Sequence, residues 1–252
     1  MPEPDFFSRH APKMMVAVVL TFTSGMVDII GYLGVYQLFT AHLTGTTVQL
    51  GRSLKNHQSF QVFMAATIVG AFMVGSLLGR TLIEIASRKG FRRIASATLT
   101  LEALALIIVV RGQWASPTKP YFCMALLAAA MGIQTATLTG IGPLTVHTTF
   151  VTGMLNKIAQ LVSHIAFRAY DSPKSKSQDI TARRDQIRDI QITMFLIAVW
   201  FAYLAGAAFG TFSFEVWGLR ALLFAAVLLA VGLATDLGWP LSCKEEAEQS
   251  ER

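Results

Sequence analysis

Charged residues are scarce in this chain. Asp, Glu, Lys and Arg make up 14% of the 252 residues, whereas soluble domains carry about a quarter. Hydrophobic residues reach 53%, and the mean hydropathy is +0.52. This composition excludes an ordinary soluble domain and predicts an integral membrane protein. In such a protein the formal net charge of +6 indicates basic cytoplasmic loops rather than a nucleic-acid surface, so we expect no nucleic-acid partner.

Cysteine is also scarce, and the usual catalytic and metal-binding patterns are missing. Cys123 lies in an apolar run and Cys243 lies near the tail, so the two form neither a disulfide framework nor a zinc spacing. His42, His147 and His164 lack tight ligand spacing and an HExxH pattern. No serine elbow, phosphate-binding glycine loop or paired catalytic carboxylates occur. We therefore expect no metal site, no cofactor and no enzyme activity.

Long apolar runs dominate what is present. The N-terminus "MPEPDFFSRHAPK" lacks a cleavable signal pattern, and the run after it is too long for a signal peptide. A spanning helix needs about 20 mostly apolar residues. Six stretches meet that length, and we expect each to cross the membrane: about 14–37, 60–84, 93–111, 120–141, 190–212 and 216–238.

Two further stretches are shorter or more polar, and each contains a Thr-Gly step. We name them the first polar stretch (40–54) and the second polar stretch (145–167). As a helix the first would reach about 22 Å, short of a ~30 Å hydrocarbon core. This favours two re-entrant or broken helices beside six crossings, although eight crossings remain an alternative. The positive-inside rule places both termini in the cytoplasm under either topology, in a multi-pass plasma-membrane protein.

The remaining segments fit one membrane domain over 1–252. The basic segment 170–190 is expected to be a cytoplasmic loop, with a helix from Gln178 onward left open. The tail 241–252 is expected to be disordered.

The two polar stretches belong to an internal repeat. Thr44-Gly45 in the first matches Thr152-Gly153 in the second. The helix after each stretch then carries Ala-xxx-Gly-xxx-Gly, with Gly75 and Gly79 in the first helix and Gly206 and Gly210 in the second. Repeat 1 would cover about 14–111 and repeat 2 about 120–238. Because each has three crossings, the repeats would be inverted, as in many secondary transporters. Close helix packing alone would also explain the glycines, and ordinary loops would explain the Thr-Gly steps.

Three segments, "SGMVDIIGYLGVYQLFTAHLTGTTVQLG", "MGIQTATLTG" and "TTFVTGMLNKIAQ", resemble the YoaK-like family of small membrane proteins, domain of unknown function 1275. The resemblance covers nearly the whole chain, and it implies a membrane fold without an established substrate. The family commonly has Thr-Gly-Asn in the first polar stretch, where this chain has Thr44-Gly45-Thr46. Its Met-Gly-x-Gln-Asn motif ends here in Thr135, so a two-way hydrogen-bonding carboxamide is absent.

Polar groups at membrane depth survive only against protein or a wet cavity. Asp28 lies inside the first helix and Glu102 near the middle of the third, where a charged carboxylate is costly. Each would bind a cation, relay protons or make a structural hydrogen bond. We predict a midplane substrate site from the two polar stretches and their surroundings: Asp28, His42, Thr44, Gly45, Thr46, Gln134, Thr149, Thr152, Gly153 and Asn156. Gly75, Gly79, Gly206 and Gly210 are predicted to pack helices.

These features favour a small-solute or ion permease. The alternative is a non-transporting membrane interaction or sensor protein, whose glycine faces bind a partner helix. The expected partners are the lipid bilayer and a small solute or ion, and a homo-oligomer remains open.

Overall fold

The structure, a computed structural model, describes residues 6–35, 37–91, 94–112, 120–137, 140–141, 144–145, 149, 151–171 and 180–238. The described residues form eight α-helices: α1 (Phe6–Gly34), α2 (Leu43–Lys55), α3 (Ser59–Arg88), α4 (Ile94–Gly112), α5 (Pro120–Thr137), α6 (Val151–Asp171), α7 (Ile180–Trp217) and α8 (Leu222–Gly238). Two strands, β1 (Gly140–Ile141) and β2 (Leu144–Thr145), pair antiparallel between α5 and α6. A 3-10 turn, Gly218–Ala221, joins α7 to α8.

Five stretches of the described chain are long and apolar enough to cross a membrane: His10–Gly34, Ser59–Arg88, Ala95–Gly112, Pro120–Thr137 and Arg184–Gly238. The last contains most of α7, the 3-10 turn and α8. The chain is therefore a helical, multi-pass membrane protein. The helix expected over 120–141 ends at Thr137, and Gly140–Ile141 form strand β1 instead.

Apolar residues cover both faces of the spanning helices. On α3, Ile68 and Phe72 are buried, whereas Phe63 is 66% and Leu77 is 68% exposed on the opposite face. Exposed apolar surface on this scale is stable in lipid and not in water. The outer face of α3 therefore contacts lipid, while its inner face belongs to the protein core.

Two helix pairs, α1 with α7 and α3 with α5, make the most extensive contacts. Glycine permits both, because a Cβ at Gly75 would collide with the carbonyl oxygen of Ala129, and one at Gly206 would collide with that of Phe22. Small residues let membrane helices approach this closely. All four glycines expected to pack helices are buried at these two contacts.

The same glycines show the direction of the helices. Along α7, Gly206 faces Phe22 of α1, and Gly210, one turn later, faces Met26. Along α3, Gly75 faces Ala129 of α5, and Gly79 faces Ile133. Residue numbers rise together in both pairs, so both pairs are parallel.

The other two spanning helices pack antiparallel against each other. The side chain of Leu99 in α4 lies beside Gly232 in α8. Earlier in α4, the Ser96 amide donates to the Asp236 carboxylate of α8 at 2.9 Å, and the Ser96 hydroxyl donates to the same oxygen. Asp236 thus accepts from the first turn of α4, where backbone N–H groups have no partner within the helix. α4 also contacts α5, and α8 also contacts α1.

The two remaining helices are peripheral, since α2 packs against α3 and α6 packs against α7. α7 begins at Ile180, so the end of the expected 170–190 loop is helical in the structure. Residues 172–179 of that loop and the tail 241–252 lie outside the described residues.

Candidate functional site

The segment after α1 folds back along that helix toward its interior. Asp28 lies nearly two turns before the end of α1, about 9 Å along the helix axis. Its Oδ1 accepts from the Thr40 amide at 2.7 Å, the Thr40 hydroxyl at 2.9 Å and the Ala41 amide at 2.9 Å. The Thr40 methyl group lies against Gly31, where a Cβ would collide with it. Asp28, only 1% exposed, therefore pins residues 37–55, which we call the α2 hairpin, against α1.

The second carboxylate oxygen of Asp28 faces α7. Tyr203 donates its hydroxyl to Oδ2 at 2.8 Å. His42 Nε2 lies 3.3 Å from the same hydroxyl and 3.7 Å from Oδ2. Because the Tyr203 hydrogen is used on Asp28, a hydrogen bond between Tyr203 and His42 must be donated by His42. The side chain of His42 is 41% exposed, so the chain from His42 through Tyr203 to Asp28 joins the surface to a buried carboxylate.

Aromatic rings surround this cluster on one side. Tyr32 and Phe39 stack with ring centroids 4.5 Å apart, and Phe39 lies 4.8 Å from the His42 ring. The His42 ring in turn lies 6.2 Å from that of Tyr203. Stacked rings limit the rotamers of His42, which holds its Nε2 toward Tyr203.

Helix α2 starts immediately after His42. Thr46 is buried, and its hydroxyl donates to the carbonyl of His42 at 3.2 Å and lies 3.4 Å from that of Phe39. Thr44 and Gly45 are exposed, and a Cβ at Gly45 would meet nothing within 4 Å. Of the predicted site residues in this stretch, Thr46 therefore closes the turn, while Thr44 and Gly45 face outward.

The second polar stretch forms a related but weaker arrangement. The hydroxyls of Thr135 in α5 and Thr149 lie 2.9 Å apart, and Thr149 is buried. Thr152, Gly153 and Asn156 lie on the exposed face of α6. In the described part of the chain, no hydrogen bond joins these three residues to Asp28, His42 or Tyr203.

Asp189 of α7 fixes the far end of α6. His164 Nδ1 lies 3.2 Å from its Oδ2, and Arg168 lies 3.6 Å from the same oxygen. Both partners come from α6. This pair of contacts holds α6 on α7, so α6 is tied to the second half of the chain.

Gln134, also predicted at the site, joins α5 to α1. Its Nε2 donates to the Leu20 carbonyl at 2.7 Å, and its Oε1 accepts from Ser24 at 2.9 Å. It is fully buried. Its amide is thus engaged between two helices rather than facing a cavity.

The structure therefore groups the predicted residues into separate places. Asp28 of α1 holds the α2 hairpin, which contains His42, Thr44, Gly45 and Thr46. Gln134 lies between α1 and α5, and the four others lie in α6 or just before it: Thr149, Thr152, Gly153 and Asn156. In the described parts of the chain, no extensive contact joins α2 to α6. Within those parts, no group of three or more His, Cys, Asp or Glu side chains is placed to hold a metal ion.

In the cluster around Asp28, Tyr203 is the residue that the sequence analysis did not identify. It lies 175 positions from Asp28, and a single Tyr in a long apolar run gives no local signal. A usable hint was its position three residues before Gly206, on the glycine face of α7. Asp236 was also missed, although an acidic residue in the last turn of an apolar run is unusual enough to notice.

Comparisons with known proteins also indicate a membrane protein. The family model described as "Protein of unknown function (DUF1275)" matches residues 16–235. The UPF0700 transmembrane protein YoaK of Bacillus subtilis (strain 168) is 28% identical over 214 residues, which cover 84% of this chain and 91% of that protein. No solved structure matches the chain significantly.

Proposed function

We propose a function from one premise: the chain belongs to the DUF1275 family, a family of unknown function whose model covers residues 16–235. The proposal is that it is a small-solute or ion permease. In it, the α2 hairpin acts as a gate that Asp28 and Tyr203 hold closed. The observation that carries the proposal is the hydrogen-bonded chain from the partly exposed His42 through Tyr203 to buried Asp28.

Two inverted repeats are part of this proposal. Gly25 of α1 faces Tyr203 and Ala207 of α7, and Gly132 of α5 faces Phe72 and Ser76 of α3 in the same manner. If α1–α4 are superposed on α5–α8, α1 corresponds to α5 and α3 to α7. The α1–α7 pair then corresponds to the α5–α3 pair. The Thr135–Thr149 contact stands where Asp28 contacts residues 40–41. These paired contacts support a repeat of α1–α4 in α5–α8.

Six crossings, by α1, α3, α4, α5, α7 and α8, fit the parallel directions of the two helix pairs. α1 and α7 would leave the side that carries the termini, and α3 and α5 would return to it. The α2 hairpin and α6 would then lie toward opposite faces. With the positive-inside rule, we propose that both termini are cytoplasmic, in the plasma membrane.

The gate would work because its anchor comes from both halves of the chain. Asp28 belongs to the first repeat and Tyr203 to the second. Inverted-repeat transporters expose their site alternately by moving one half against the other, and such a movement must break the Tyr203–Asp28 hydrogen bond. A proton passed from His42 through Tyr203 to Asp28 would remove the charge that holds the four donors, which would link opening to proton movement.

The test is uptake into proteoliposomes, with an imposed pH gradient and a radiolabelled panel of organic acids, amino acids and sugars. We expect the wild type to accumulate at least one solute. Asp28→Asn, which cannot exchange a proton, should lose accumulation yet keep solute exchange without a gradient. Tyr170→Phe removes a hydroxyl from exposed α6 and serves as the control. Full gradient-driven uptake by Asp28→Asn would remove Asp28 from the mechanism.

The competing function, a non-transporting interaction or sensor protein, predicts a different result. Cysteines placed at the buried positions Thr46 and Thr149 would then be sealed from water-soluble maleimides in every condition. In a permease they react, and a transported solute or a pH gradient changes their rate of reaction.

A further inference from the structure

A polar cavity lies between α2 and α3, beside the segment that follows α1. Its volume is about 480 Å³, within the range of small-molecule sites. None of the residues predicted for the substrate site lines it. The residues that do are Gln37, Leu38, Gln49, Arg52, Ser53, Gln58, Phe60, Gln61, Met64 and Ala65.

The charge of this cavity selects anions. Arg52 is the single charged residue in its lining, and the lining contains no Asp or Glu. None of the ion pairs found among the described residues involves Arg52. A guanidinium without a carboxylate partner presents a planar fork of N–H donors that matches a carboxylate.

The lining also offers neutral hydrogen-bonding groups, namely four exposed glutamines and the buried Ser53. Ser53 donates its hydroxyl to Gln61 Oε1 at 3.1 Å, which leaves the two amide hydrogens of Gln61 to donate elsewhere. Gln37 has a φ of 55°, a left-handed conformation that is uncommon outside glycine. Gln37 lies in the turn that ends α1, where its amide donates to the Tyr32 carbonyl at 3.1 Å.

The inner wall of the cavity is apolar. Leu38, Met64 and Ala65 are buried, whereas Arg52 and the four glutamines of the lining are exposed. An inorganic ion such as phosphate has no apolar group that could pack against this wall. The wall instead suits the short carbon skeleton of an organic anion.

We propose that this cavity binds a small organic carboxylate that carries a hydroxyl or keto group, such as a 2-hydroxy acid. Arg52 takes the carboxylate, and the amides of the glutamines take the hydroxyl. An amino acid of the same size binds more weakly, because the lining has no acidic group for its ammonium. The proposed binding site is inferred from the cavity alone, whereas its identification as the substrate site of a permease rests on the proposed function.

The experiment is calorimetric titration of the full chain in nanodiscs, at an ionic strength matched with sodium chloride because salt screens the interaction. The probes are two matched pairs, L-lactate with L-alanine and L-malate with L-aspartate, together with inorganic phosphate. We expect at least one hydroxy acid to bind, and to bind more tightly than its amino acid partner. Arg52→Gln should weaken this binding about tenfold or more, the loss typical of a charge-assisted hydrogen bond.

Two further variants keep the test sharp. Lys55→Gln removes the same charge one turn away on α2 without touching the lining, and it should bind as the wild type does. Gln61→Glu retains an acceptor for Ser53 but adds a negative charge. It should therefore weaken binding of the hydroxy acid and strengthen binding of the amino acid. Each variant is first checked for an unchanged melting temperature in the absence of ligand.

The outcomes separate cleanly. Equal binding by Arg52→Gln and the wild type, tighter binding of the amino acids, binding of phosphate alone, or no binding by any probe overturns the proposal. Binding that follows the expected order without uptake into proteoliposomes leaves the anion site in place and removes the permease. Uptake that does not depend on Arg52 retains the permease and removes this cavity as its substrate site.

Discussion

Asp28 accepts hydrogen bonds at both carboxylate oxygens, whereas the two oxygens of Glu102 have no hydrogen-bond partner in the described residues. Both side chains are buried in spanning helices. An unsatisfied buried polar group costs the full loss of its hydration, while a satisfied one can stabilise the structure. The two carboxylates should therefore respond to substitution in opposite directions.

Asp28→Ala should lower the free energy of unfolding by about 3 kcal/mol or more, because it leaves two backbone amides and two hydroxyls without their acceptor. Asp28→Asn should cost less, since its remaining oxygen still accepts from Thr40 and Ala41. Thermal or denaturant unfolding in detergent measures both changes. Equal stability of Asp28→Ala and the wild type would contradict the anchoring role.

Glu102→Leu should raise the free energy of unfolding by about 1–3 kcal/mol, because it removes a buried carboxylate that lacks a partner. Glu84→Gln serves as the control. Glu84 is exposed, and its pair with Arg88 at 2.7 Å is worth little, about 0.3–0.5 kcal/mol. A clear loss of stability in Glu102→Leu would contradict this prediction. It would show that the Glu102 carboxylate makes a stabilising interaction in the folded protein.

At the scale of the helices, the packing of α3 on α5 depends on Gly75. Gly75→Ala should destabilise the protein by about 1–3 kcal/mol, because its Cβ would collide with the Ala129 carbonyl and force the helices apart. Gly70 lies on the same helix, where a Cβ meets nothing within 4 Å. Gly70→Ala should be neutral or slightly stabilising through its helix propensity. Melting temperatures of the two variants give the comparison, and similar values would contradict tight packing at Gly75.

The two peripheral helices, α2 and α6, have the same spacing of inward-facing residues but differ in length. Leu43, Thr46, Leu50 and Ser53 form the inner stripe of α2, and Val151, Met154, Ile158 and Leu161 form that of α6. The spacing of the two stripes is identical. α6 continues to Asp171, however, because Asp189 holds its last turns through His164 and Arg168.

At the scale of the whole molecule, inverted repeats require that equivalent ends face opposite sides of the membrane. Asn56 follows α2, and Tyr170 lies at the end of α6. Single cysteines at these positions, in a chain with Cys123 and Cys243 replaced by serine, should react with an impermeant maleimide from opposite sides. Labelling of sealed vesicles and of opened vesicles measures the sidedness. Reaction of both cysteines from one side would rule out the inverted arrangement.

Much of the helical architecture was predictable from residue patterns. Scarce charge and long apolar runs predicted membrane helices, and α1, α3, α4, α5, α7 and α8 lie within or around the six expected stretches. The glycine spacing in α3 and α7 singled out the four glycines that lie at the closest helix contacts. Both signals are readable because hydrophobicity and the helical period act on neighbouring residues.

The candidate site was predictable only in part. Asp28 and His42 were identified because polar groups are costly at membrane depth. Tyr203 was not identified, since a single tyrosine inside a long apolar run gives no local signal. Arg52 and the glutamines of the cavity were not identified either, since such residues at the edges of apolar runs are ordinary in membrane proteins. Only their positions in space distinguish them.

The sequence by itself determined that this chain is a helical membrane protein, because burial in lipid depends on the composition of each segment. The tertiary structure decided what Asp28 does, by bringing Tyr203 from 175 positions away and folding Thr40 and Ala41 back onto α1. It also decided that Arg52 faces a cavity without a carboxylate. Hydrogen bonds and ion pairs need atoms within a few ångströms, and such distances between remote segments exist only once the helices have packed.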